Sequence, residues 1–152
     1  MEERGATRYL GVLFSFAGWQ EQETQIMKMA KAFFIETTMI RPSLQQLKEG
    51  VQAVLGARLA FPRQVMPSNS KCLNYVRTQV CKAISYVLGF HGEQYDLGES
   101  SLAAIAFTPE DMGLGLGFPD PEVAGITQDA RRIFEGFESD DDRVAAATYA
   151  LL

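Results

Sequence analysis

Glu23-Thr-Gln-Ile26-Met-Lys-Met-Ala30-Lys-Ala-Phe33-Phe34-Ile-Glu-Thr37-Thr-Met-Ile40 is the stretch on which the fold turns. Its apolar positions, Ile26, Ala30, Phe33, Phe34, Thr37 and Ile40, recur at three- and four-residue steps with charges between them, so the segment predicts an amphipathic helix whose apolar side needs a partner. Arg41-Pro42-Ser43 then punctuates the chain, with Pro42 suited to a first helical turn. Beyond it Leu44, Leu47, Val51, Val54 and Arg58 step three-four-three-four and predict a second helix. That helix is expected to end by Phe61-Pro62, because proline has no N–H to continue the ladder. Gly50 and Gly56 within it each cost about 1 kcal/mol relative to alanine, which points to close approach by a neighbouring helix.

Outward from this pair the same periodicity continues. Residues 62–70 read as a loop whose closing Ser/Asn residues can cap the next helix. Leu73, Val76, Val80, Ile84 and Val87 then predict a long helix closing at Gly89, a natural left-handed terminator. The loop beginning Phe90-His91 leads to a shorter helix over Glu99–Ala106, and Thr108-Pro109-Glu110-Asp111 starts a turn broken by Gly113, Gly115 and Gly117. Asp120-Pro121-Glu122 opens a helix with Val123, Ile126, Ala130, Ile133, Phe134 and Phe137 on one stripe, its early acids and later Arg131 and Arg132 suiting the helix dipole. Ser139-Asp-Asp-Asp142 caps an alanine-rich last helix, Arg143–Leu152. Residues 9–19 fit both periods: Leu10, Val12, Phe14 and Phe16 alternate as a strand does, while Tyr9, Val12, Phe16 and Trp19 fit a helix. With no partner strand later in the chain, the helix is the expectation. The result is an all-α chain, a single domain over 1–152, built as a globin-like or orthogonal bundle of about six helices.

The chain of 152 residues, 47% hydrophobic and 22% charged, has the composition of an ordinary globular protein. It is expected to bury roughly two-thirds of its unfolded surface, so one core suffices. The apolar run Tyr9–Trp19 is about half the length of a bilayer-spanning helix. Met1-Glu-Glu lacks the basic flank of a signal peptide, and the expected location is the cytoplasm. Charge is unevenly placed. Residues 1–90 carry eleven Lys/Arg against six Asp/Glu, whereas residues 91–152 carry three against thirteen. This imbalance allows two readings: the halves neutralise each other inside one fold, or the basic surface of one copy meets the acidic surface of the next.

Several chemistries are absent from the residues. The single histidine, His91, cannot supply a site that needs two, and no nucleophile motif accompanies it. Gly113-Leu-Gly-Leu-Gly117 follows no strand and precedes no lysine, so it reads as a flexible loop rather than a phosphate cradle. Consecutive Asp140, Asp141 and Asp142 lack the alternate spacing of a calcium loop and suit helix capping. No catalytic residue and no metal ligand is assigned. Between Arg41 and Lys82 the only acid is Glu49, set against seven cations. This motivates a nucleic-acid-binding or coat-protein alternative, including the viral and phage kinds, carried by Arg58, Arg63 and Arg77. Cys72 and Cys81, nine apart, fall on opposite faces of one helix and cannot pair with each other.

From the second helix onward the order of features resembles the globin-like phycobiliproteins of cyanobacterial and algal antennae. Leu47-Lys-Glu-Gly-Val-Gln-Ala-Val54, ending at Phe61-Pro62, is similar to that family's early helix. Lys71-Cys72 and the helix ending Ile84-Ser-Tyr-Val-Leu-Gly89 are similar to its bilin-attachment cysteine and the helix after it, and Arg143–Leu152 to its alanine-rich final helix. The resemblance covers about two-thirds of the chain. It implies a subunit of a ring or stack, with a covalently bound bilin on Cys72 as the alternative. The family's Arg-Asp pair after the attachment cysteine is replaced here by Asn74 and Tyr75, so Cys72 stands either as an attachment point or as a buried apolar cysteine. The expected function is that of a non-enzymatic helical subunit, without cofactor, that self-associates or joins related helical subunits through surfaces of opposite charge.

Overall fold

A computed structural model of the chain describes residues 7–9, 12–14, 18–66, 71–90 and 99–150. The architecture is the expected helix bundle. Its helices are α1 (Gln20–Ile40), α2 (44–65), α3 (Lys71–Val87), α4 (Glu99–Phe107), α5 (Pro121–Phe137) and α6 (Asp142–Ala150), with a 3-10 turn at Glu110–Met112.

One short hairpin precedes the bundle and overturns the helix expected over residues 9–19. Strands β1 (Thr7–Tyr9) and β2 (Val12–Phe14) pair antiparallel, Thr7 opposite Phe14 and Tyr9 opposite Val12. The alternation is a strand signal after all. Its partner is the segment immediately before it, so no later strand is needed.

Helix α1 buries Gln22, Ile26, Ala30, Phe33 and Thr37, one line at helical spacing. Ile40, expected on that line, is instead 75% exposed, because α1 ends there: Arg41 turns left-handed at φ 51° and donates its N–H to Thr37 O. Pro42 stands outside the next helix. Ser43 is the cap, its Oγ accepting from Gln46 N while its own N–H donates to Gln46 Oε1, a reciprocal capping box.

Helix α2 runs through three segments, Leu44–Gly50, a π-helical stretch Val51–Gly56, and Ala57–Val65. The wider turn explains a shift in its buried face. Leu47, Val51, Leu55 and Leu59 are each 1–2% exposed, where regular winding predicted Val54 and Arg58. Closing i→i+5 rings instead of i→i+4 adds one residue to the turn, which moves every later inward position one residue along. The helix also passes through Pro62, contrary to expectation, and closes at Met66, whose N–H donates to Pro62 O. Proline has a helix-compatible φ, and although it gives up the bond to the carbonyl four residues back and crowds that carbonyl, it stands only one turn from the helix end and its ring is buried. Gly50 does lie against α1, under the Phe33 ring, but Gly56 faces no other helix.

Helix α3 is the centre of the bundle. It packs on α1, α2, α4 and α5, and Val76, Val80 and Ile84 are fully buried. Each such side chain contributes roughly 1.5–3 kcal/mol by leaving water. The helix closes as expected at Gly89, with φ 83°. Phe90 N–H donates to Ser85 O and Gly89 N–H to Tyr86 O, the two bonds of a Schellman terminus.

The glycine segment after α4 is a built return rather than a flexible loop. Leu116, Gly117 and Phe118 donate their N–H groups to Ile105, Thr108 and Ala106, which satisfies carbonyls that the end of α4 leaves open. Gly113 and Gly117 adopt positive φ, and a β-carbon on Gly115 would collide with the backbone of Thr108 and Pro109. Phe118 is thereby carried into the core, where it joins side chains of α1, α2, α3 and α4. Asp120 then caps α5, its Oδ1 accepting from Glu122 N at 2.9 Å. None of the described helices is long and apolar enough to cross a membrane.

Candidate interaction surface

Arg77, midway along α3, is where the basic and acidic halves meet. Its Nη1 lies 3.0 Å from Glu122 Oε2 and its Nη2 3.4 Å from Asp120 Oδ2, while the guanidinium covers the Phe107 ring at 5.1 Å. Nε is buried and makes no hydrogen bond among the described residues. A cation is thus fixed where α3, the end of α4 and the start of α5 converge. Lys48 makes the second such link, its Nζ 2.6 Å from Glu110 Oε1 above Gly117. At these two points the opposite charges neutralise each other within one chain, and neither Lys48 nor Arg77 is left as a simple solvated cation.

The other residues singled out from the sequence are dispersed. Arg58 is exposed on α2, Arg63 belongs to the same helix but its side chain lies outside the described residues, and Arg77 is held by two carboxylates. Of the two whose side chains are described, Arg77 is already neutralised and Arg58 is the exposed cation. His91 and the 67–70 caps also lie outside the described residues. Cys72 is fully buried in the core and Cys81 is 6% exposed, and they are not joined in a disulfide. A tetrapyrrole linked to Cys72 would need open space beside the sulfur, whereas the surroundings of Cys72 are those of a packing residue. Asp141 caps α6, its Oδ1 accepting from Arg143 N. Among the described residues no three His, Cys, Asp or Glu side chains group as metal ligands.

The surface with the strongest chemical character is the apolar stripe that periodicity places on α5. Along it Val123 is 57% exposed, Ile126 56% and Phe134 67%, while Ile133 and Phe137 are half-buried. Its inward positions are instead Pro121, Gly125 and Gly136. At roughly 100° per residue these lie nearly opposite the apolar stripe. The small residues let α5 approach its neighbours, and Val123, Ile126 and Phe134 are turned to water. Gly125 and Gly136 stand eleven residues apart, three helical turns, and that spacing is the available signal for the inner face.

Helix α6 extends this surface. None of its residues is buried, and it leans on α5 through Gly136 under Thr148 and through the Phe137 and Tyr149 rings, 4.7 Å apart. At the corner between the two helices Glu138, Asp140 and Asp142 are exposed acids. A second apolar region lies where α1 and α3 end side by side, tied by Tyr86 Oη donating to Thr38 O at 3.1 Å. Ile35, Met39, Ile40, Leu88 and Phe90 are all exposed there, beside a shallow cleft lined by Arg41, Pro42, Tyr86 and Val87.

No family model, curated protein or solved structure compared with the chain matches it.

Proposed function

We propose that the chain is a non-enzymatic helical subunit that works by associating with copies of itself, with the outward face of α5 as its contact. The observation that carries this reading is the stripe of Val123, Ile126 and Phe134, more than half exposed on a helix whose glycine side is the one buried. Burying such a stripe on a second molecule releases apolar surface from water at about 25 cal/mol per Å², the main favourable term in most protein association. Scattered apolar side chains on a surface need no explanation, but a run of them along one helix face marks an interface. The charge imbalance of the two halves supports the reading less than expected, because Arg77 and Lys48 are engaged internally. The ring or stack of antenna assemblies is one form such a subunit takes. A bilin draws no support from Cys72.

Light scattering across a concentration series tests the proposal. The full chain is expected to run above the mass of one copy, and Ile126→Lys with Phe134→Lys is expected to return it to that mass with unchanged helix content. A chain that stays at one copy at every concentration removes the reading.

A further inference from the structure

The α5 stripe is one of two unlike apolar surfaces on this chain, and resting on the self-association just proposed, we infer that they are the two sides of one head-to-tail contact. The acidic-cornered α5–α6 face of one copy seats on the basic-rimmed end of α1 and α3 of the next.

The two surfaces match in both apolarity and charge. Toward its end α1 exposes Ile35, Met39 and Ile40, with the exposed cation Lys31 before them, the exposed cation Arg41 after them and one exposed acid, Glu36, in between. Lys82 is exposed on α3, one helical turn before Tyr86 of the cleft. On the other side Phe134 projects from α5 one turn before the exposed Glu138, and Asp140, Asp141 and Asp142 come next at the corner, followed by one exposed cation, Arg143. No hydrogen bond or ion pair engages the Glu138, Asp140 or Asp142 side chain among the described residues, and the same holds for Lys31, Arg41 and Lys82. These six charges are thus separate from the Arg77 and Lys48 pairs that neutralise the interior of the chain.

The cleft of Arg41, Pro42, Tyr86 and Val87 is the concave element and Phe134 the convex one. An aromatic ring seated between Pro42 and Tyr86 would leave the Arg41 guanidinium facing the Glu138 carboxylate of the incoming helix. Because the surfaces differ, each copy keeps one unsatisfied surface of each kind after pairing. Growth therefore continues into a ring or an open stack instead of stopping at a two-fold dimer.

Complementation between blocked variants tests this with the full chain, read by sedimentation velocity, with circular dichroism confirming the fold of each variant. Met39→Asp/Ile40→Asp closes one surface and Phe134→Lys the other. Each variant alone is expected to lose every species above one copy, and an equimolar mixture is expected to form two-copy particles and nothing larger. Arg41→Glu is expected to weaken assembly at least tenfold, and Arg41→Glu/Glu138→Arg in one chain to recover most of that loss. Undiminished assembly by Met39→Asp/Ile40→Asp, or a mixture that stays at one copy, overturns the head-to-tail pairing while leaving association through α5 intact. A wild-type chain that never exceeds one copy removes the underlying proposal instead.

Discussion

Glu122, in the first turn of α5, is held by Arg77 of α3 at 3.0 Å, and Asp120, which caps the same turn, is reached by the other arm of that guanidinium. Arg77→Met keeps an unbranched side chain but removes the guanidinium from the Phe107 ring and from its two carboxylates, leaving the largely buried Asp120 carboxylate without its cation. With the arginine side chain still 31% exposed, solvent screening limits the loss to about 1–2 kcal/mol. Urea unfolding is expected to show a lower midpoint with an unchanged slope. Retention on a phosphate polymer is expected to stay as it was, since Arg77 is already neutralised; of the arginines expected to bind nucleic acid, Arg58 is the exposed one that this assay addresses.

Gly50 and Gly136 are both helical glycines, and alanine at the two sites is expected to act in opposite directions. At Gly50 the new methyl meets the Phe33 ring at 3.6 Å, ordinary contact, so Gly50→Ala is expected to stabilise the chain by about 0.5–1 kcal/mol. At Gly136 it would overlap Thr148 Oγ1 and press on Cγ2 at 3.0 Å. Gly136→Ala is expected to cost about 1–3 kcal/mol by prising α6 from α5. Thermal melts of the two variants decide the signs.

Gly115→Ala is expected to be more damaging than either, because the obstruction is backbone. The carbonyls of Thr108 and Pro109 cannot move aside without breaking the bonds that close the end of α4. A loss of about 2 kcal/mol or more, with early amide exchange at Leu116, Gly117 and Phe118, is the expected outcome. Unchanged stability would show that the return is as loose as its composition suggests.

Arg41 holds a left-handed conformation at φ 51° that glycine adopts freely. Arg41→Gly is expected to raise the stability of a single copy by up to about 1 kcal/mol while weakening assembly, so a melt and a sedimentation run should move apart.

Both cysteines are core residues. Cys72 and Cys81 are therefore expected to resist thiol reagents in the native chain and to label together in denaturant. Rapid native labelling of Cys72 would revive the attachment reading by showing an accessible sulfur.

Periodicity makes most of the bundle legible, because the amphipathic patterns of α1 and α3 are recorded in residue types that cannot be exposed together without penalty. Two features escape it for definite reasons. The pattern of α2 assumes regular winding, and the π-helical stretch replaces Val54 and Arg58 with Leu55 and Leu59. In α5 periodicity locates the apolar stripe correctly but carries no information on what lies opposite it. A stripe that meets core and a stripe that meets another molecule look alike in a single sequence, and the distinction rests on Gly125 and Gly136. The two internal ion pairs are invisible for a similar reason: residues 45 apart, Arg77 and Glu122, meet only because the glycine return aims the start of α5 at the middle of α3.

The wide turn in α2 gives the bundle one place where a residue can be lost. Deleting the exposed Gln52 or Ala53 would let the helix wind regularly, and because the wide turn holds one residue more than a regular one, Leu59 would keep its inward phase. The same loss between Ala30 and Phe33 in the regular winding of α1 would rotate everything after it by roughly 100° and swing Phe33 toward water, so a missing codon is tolerated in one helix and disruptive in the other.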